Sequence, residues 1–244
     1  MALALERDGT PRGPLRITTL AYGARTVLEP VLPGFLLRYP DVSLELNVED
    51  RPIDIVAEGF DAGIRFGESV ERDMISVRAG PDLRTVVVAT PGYFRNRPAP
   101  ASPADLERHD CIGYRLPGSG ALLAWEFERD GRQIRLRPSG RLVLNEIGLS
   151  LAAIRGGAGL GYMLEDAVAE DLAAGRLVQV LPEWYPPFPG CHLYYPHRQA
   201  SPALRALADR LRWPRRPASE TERGNDAGGW AGRSGASVPS PAAR

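Results

Sequence analysis

The residues best placed for chemistry in this 244-residue chain are one arginine, two threonines and a few polar groups beside glycine-marked turns. Arg65 falls in the segment 62–66, whose alternating apolar residues read as a short strand that stops at Gly67. The carboxyl end of a strand is where open α/β sheets hold ligands, and a guanidinium there offers a planar donor fork to an anion. Arg65 can equally serve as an ion-pair partner for Asp61 or Glu68. Thr18, Thr19 and the N–H groups around Tyr22 and Gly23 stand at a strand-to-helix junction, where backbone donors favour an anion. Asn145 reads as a helix cap that can also touch a ligand. Beside it, Glu146 either offsets a helix dipole or selects for a ligand group that is not anionic.

Other reactive residue types do not assemble into a reaction. His109-Asp110-Cys111 and Cys191-His192 place nucleophile types next to bases, but neighbours on an extended chain point to opposite faces. No nucleophile elbow and no metal-spaced histidine pair is present, so no enzyme activity, cofactor or metal is expected. Gly156-Gly157-Ala158-Gly159-Leu160-Gly161 misses the dinucleotide spacing and lies between a helix and a strand, the reverse of a nucleotide loop. It reads as a tight helix-to-strand turn.

Composition narrows the class further. Hydrophobic residues make up 43% and charged residues 25%, ordinary values for a globular protein with a sizeable core. Net charge is zero, so no overall field attracts nucleic acid. Every basic residue besides histidine is arginine, a compositional bias rather than a motif. Two cysteines eighty positions apart read as buried thiols, and neither a signal peptide nor a membrane-length apolar run is seen. A cytoplasmic location is expected.

The elements that must position these groups centre on residues 50–67. Asp50 is expected to cap a helix with Pro52 in its first turn, Ile53, Val56 and Ala57 buried, and Gly59 at its end. Before it come a strand over 15–20, a turn over 21–23, a helix starting near 31–35 with Leu32, Phe35 and Leu36 inward, and an alternating strand over 42–48. Strands over 74–79 and 84–90 continue a pattern that reads as parallel α/β. Thr90 and Ser102 cap short helices, and Asp130-Gly131 marks a hairpin. Asn145 opens a helix with Ile147, Leu151 and Ile154 inward, and a last helix carries Leu204, Leu207, Ala208 and Leu211 on one face. Residues 214–244 are rich in Pro, Gly, Ser and Arg and are expected to be disordered.

A resemblance joins these pieces. The order Asp50-Arg51, Asp54, Glu58-Gly59, Asp61, Ile64-Arg65 and Gly67 is similar to the effector-binding domain of LysR-type transcriptional regulators. Phe35, Arg38-Tyr39-Pro40, Thr90-Pro91, Tyr93, Asp105-Leu106, His109, Trp125, Phe127 and the run from Gly157 to Gly161 extend it across residues 13–213. The resemblance implies a type 2 periplasmic-binding-protein-like α/β fold of two subdomains joined by two crossover strands. Residues 13–87 with 190–213 would form the first and 88–189 the second, with 1–12 as a linker remnant. A small-molecule effector would bind between them, with Thr18, Thr19, Arg65, Gly67, Asn145 and Tyr162 around the cleft and Tyr22 and Glu146 beside it. A carboxylate suits Arg65. The resemblance also implies allostery and a homodimer or homotetramer, with DNA reached only through a helix-turn-helix that this sequence does not contain. A stand-alone small-molecule-binding protein of the same fold is the alternative.

Overall fold

The computed structural model describes residues 10–70, 73–196 and 200–214. Most of the expected linker remnant and nearly all of the expected disordered tail lie outside them. Strand β1 (Gly13–Thr19) runs into a helix, α1, whose first turn is Ala21–Gly23 and which continues with wider turns through Ala24–Leu28. The expected turn at 21–23 is therefore the start of a helix, held because Val27 and Leu28 are buried. A second helix, α2 (Leu32–Arg38), buries Phe35, with Leu32 partly covered, but leaves Leu36 exposed. Strand β2 (Val42–Val48) and strand β3 (Ala62–Phe66) follow, each parallel to β1.

Between β2 and β3 the expected helix is absent. Asp54 accepts from the N–H groups of Val56 and Ala57, closing one turn that ends at Gly59, whose φ is +71°. Ile55 and Phe60 are the buried residues, while Val56 is exposed and Ile53 partly covered. The apolar spacing 55 and 60 makes no helical stripe, so nothing rewards further turns. Asp50 turns away and accepts from the Ala21 N–H at 2.8 Å, capping α1 instead.

Strand β4 (Met74–Arg78) leads by an extended link to β5 (Thr85–Ala89). Short helical turns follow at Pro91–Asn96 and Pro103–Arg108. Thr90 caps the first, and Asp105 accepts from the Ser102 N–H and hydroxyl at the second. Next come β6 (Gly113–Tyr114), the hairpin of β7 (Trp125–Arg129) and β8 (Arg132–Leu136), and β9 (Val143–Leu144). Asp130 and Gly131 both have positive φ, 52° and 75°, as a type I′ turn requires. Helix α3 (Ile147–Arg155), β10 (Gly161–Leu164), α4 (Ala169–Ala173), β11 (Val178–Val180), β12 (Cys191–Pro196) and α5 (Pro202–Leu211) complete the order.

Two sheets organise two cores. The first sheet has the order β2-β1-β3-β12-β4, with β12 antiparallel to both neighbours. Its core gathers Leu15, Ile17, Phe35, Ile64 and Leu193 under the apolar face of α5. The second sheet, β10-β5-β11, is antiparallel, so β5 does not extend the parallel pattern. Val86 and Val87 pack there with Trp125, Phe127, Ile154 and Leu160, so the second core begins at β5, ahead of residue 88. The chain crosses between the cores twice, and the crossing segments pair at Leu83 and Phe188 through bonds of 2.9 and 2.8 Å. These are the two crossover strands of a type 2 periplasmic-binding-protein-like fold.

Candidate functional site

Between the two lobes lies an open cleft of about 1630 Å³, larger than the ~300–1,000 Å³ of a closed small-molecule pocket. Of the eight residues singled out in the sequence, Tyr22, Arg65, Glu146 and Tyr162 line it. Thr18, Thr19, Gly67 and Asn145 do not.

Arg65 is only 7% exposed, because β3 is a central strand covered on both faces. Its guanidinium donates to the Ile64 carbonyl at 2.9 Å, the Thr18 hydroxyl at 3.3 Å and the Arg51 carbonyl at 3.4 Å. Burial disfavours its charge and lowers its pKa, yet an arginine stays protonated. Asp61 does not pair with it and accepts instead from the Arg16 N–H at 2.7 Å. Thr18 thus stands behind Arg65 as a support, and Thr19 closes on its own strand by donating to the Leu20 carbonyl. Gly67 donates its N–H to the Gly190 carbonyl. A Cβ there would stand 2.9 Å from His192 and Pro189, so this glycine allows close packing behind the cleft.

The cap of α3 is Glu146, not Asn145. Its carboxylate accepts from the N–H groups of Gly148 at 2.8 Å and Leu149 at 2.6 Å, and those bonds hold its pKa low. The longer side chain reaches the donors from the residue where the backbone turns extended, leaving Asn145 exposed one position too early. The anion slot at this helix end is therefore filled by the chain itself. Ile147 is exposed and lines the cleft, whereas Ile154 is fully buried. At the other end of α3, Gly157 (φ +76°) and Ala158 donate to the carbonyls of Ile154 and Ala153, so the glycine run is a Schellman stop.

Tyr162 stacks on Trp125 at 5.4 Å and donates to the Glu126 carbonyl at 3.0 Å, tying the hairpin to the second sheet. Tyr22 donates to Asp166 at 2.5 Å, and its hydroxyl pKa is pushed up first by burial and then by that bond. Sequence reasoning missed Asp166, Asp50, Tyr114 and the β7–β8 wall, where Glu126, Glu128, Arg135 and Arg137 face the cleft. Their every-second-residue spacing on an identified hairpin was the available signal.

Among the described residues no hydrogen bond joins a thiol to an imidazole. Cys111 is buried against the Leu106 carbonyl, with its pKa pushed up to about 11 by burial. Burial likewise pushes Cys191 up to about 12. His109 meets the Tyr93 hydroxyl and His192 the Ser76 hydroxyl. Among the described residues no helix is long and apolar enough to cross a membrane.

Two α/β lobes on paired crossing strands, with an open cleft between them, define a binding domain of the periplasmic-binding-protein type. The chain belongs to the LysR family of transcriptional regulators, its residues 8–213 matching the LysR substrate binding domain. It is 39% identical over 214 residues to the HTH-type transcriptional regulator PgrR of Escherichia coli K12, covering 87% of this chain and 72% of that protein. It is 41% identical to YcaN, an uncharacterized HTH-type regulator of the same organism, over 82% of this chain and 65% of the relative. Among solved structures, the regulatory domain of AphB from Vibrio vulnificus superposes with a TM-score of 0.64 at 25% identity, covering 84% of this chain and 98% of that one. The chain thus spans about two thirds to three quarters of the length of these two full-length relatives.

Proposed function

We propose that this chain is the effector-sensing and oligomerisation part of a LysR-type regulator, binding a small organic molecule in the cleft between its lobes. The observation that supports this reading is Arg65: a buried guanidinium on the cleft wall whose hydrogen bonds all go to neutral oxygens. A carboxylate on the ligand would supply a directly bonded anionic partner, in the bidentate geometry an arginine favours, where Asp50 and Glu49 act on the guanidinium only through space. Because Glu146 already occupies the end of α3, the anionic group is expected at Arg65 and not at that helix. Ligand preference for one lobe arrangement would then shift the assembly, a homodimer or homotetramer. DNA contact would run through a helix-turn-helix such as the relatives' names describe, and the function would then lie in the cytoplasm. Catalysis has no part in this reading.

The test is a thermal-shift screen of small organic acids on this chain and on Arg65→Ala. At a hundredfold excess over the dissociation constant, a ligand that binds only the folded state stabilises it by about 2.7 kcal/mol. A hit that disappears in Arg65→Ala is the expected result. A hit that persists assigns Arg65 to holding β3 against residue 51, and no hit with any acid removes the carboxylate from the proposal.

A further inference from the structure

Tyr22 and Asp166 come from different lobes. Tyr22 sits in the first turn of α1 above the first sheet, and Asp166 lies two residues past the end of β10 in the second. Their hydrogen bond, 2.5 Å long, crosses the cleft that both residues line. Bonds that end on a carboxylate are roughly twice as strong as those between neutral groups. The lobes also meet at a second place. A Cβ added to Gly118, in the second lobe, would stand 3.2 Å from Pro52 Cδ and 3.5 Å from Arg51 Cβ in the first. Gly118 has φ +86°, so its backbone approaches where a side chain would be strained as well as crowded. One contact is polar and the other steric, and each lobe has its own closed core.

We propose that Tyr22 and Asp166 are positioning residues that latch the two lobes together and set how far the cleft stands open before any ligand enters. A hinge of this kind needs a contact made in one state and broken in the other, and this bond can be broken without opening either core. Asp166 belongs to neither hydrophobic cluster, and the Tyr22 ring keeps its packing against Phe66, centroid to centroid 5.8 Å, when only its hydroxyl is removed. The apparent affinity of a ligand scales with the population of the arrangement that binds it. The latch therefore tunes binding from residues that need not touch the ligand. It rests on the two-lobe geometry and not on the identity of the effector.

The test uses the whole chain with cysteines introduced at exposed Ala57 and exposed Arg132, one per lobe, carrying spin labels; Cys111 and Cys191 are buried. The label-to-label distance distribution is measured by pulsed dipolar spectroscopy for the otherwise unaltered chain, Tyr22→Phe, Asp166→Asn, the double variant and Ser201→Ala. Ser201 caps α5 far from the cleft and controls for general loosening. Each latch variant is expected to raise the ratio of open to closed lobes by about tenfold or more, with the double variant no further shifted than the singles. Unchanged distributions in both single variants overturn the latch, as does an equal change in Ser201→Ala. A ligand found by thermal shift alongside unchanged distances would sink the latch and leave the effector reading standing. Widened distances with no ligand found would do the reverse.

Discussion

A single carboxylate shows how this protein places its charges. Asp171 is 1% exposed, yet it accepts from Arg155 at 2.6 and 2.9 Å and from Arg176 at 2.5 Å. The Arg155 bonds first, then the Arg176 bond, hold its carboxyl below the ordinary range. An unfolded aspartate titrates near ~3.9, so the stabilisation is complete above that value and is lost as the pH falls through the lower folded value. Asp171→Asn is therefore expected to lower the unfolding temperature near neutral pH, with the difference from the parent chain narrowing below about pH 4. Scanning calorimetry across that range checks it; a gap independent of pH would mean the charge is not the cause. Arg65 is the opposite case, a buried charge bonded to neutral groups, and that asymmetry singles it out for ligand binding.

At the scale of elements, what could be read in advance was whatever a local pattern dictates. Strand β2 alternates, the Asp130-Gly131 turn admits little besides a hairpin, and α5 carries Leu204, Leu207 and Leu211 at helical spacing; all three formed where expected. The stretch between β2 and β3 misled because a capping residue and a proline suggest a helix start even when no apolar stripe follows. Asn145 misled similarly, since the preference for asparagine at a cap is statistical, and the neighbouring glutamate had the reach. The cleft residues on β7 and β8 were only half legible: alternation separates the two faces of the hairpin, but which face meets a cavity depends on the second sheet it packs against. That packing is concentrated in Trp125, 1% exposed and stacked on Tyr162. Trp125→Ala is expected to cost about 3–5 kcal/mol in urea unfolding. The same change should free Tyr162 and the hairpin wall, which amide exchange at residues 125–136 would report. A loss under ~1 kcal/mol, below the usual range for such truncations, would mean the wall repacks.

For the whole molecule, the decisive feature is that one core is continuous in sequence and the other is not. Residues from Val86 to Tyr185 supply everything buried in the second lobe. The first lobe draws on both sides of that insert, and β12 lies between β3 and β4 in its sheet. During synthesis, then, the segment made first must wait. With β12 still unmade, β3 and β4 face each other across an empty strand position, and the underside of the sheet lacks α5. The inserted lobe can be complete while its predecessor is still an open, adhesive half-sheet. Ribosome-bound chains arrested with Tyr185 just emerged are expected to show protease protection over residues 86–185 and ready cleavage within 13–79; equal protection of both would contradict this order. Vectorial synthesis thus leaves β1 to β4 exposed to chaperones and to premature pairing for as long as more than a hundred residues take to be translated.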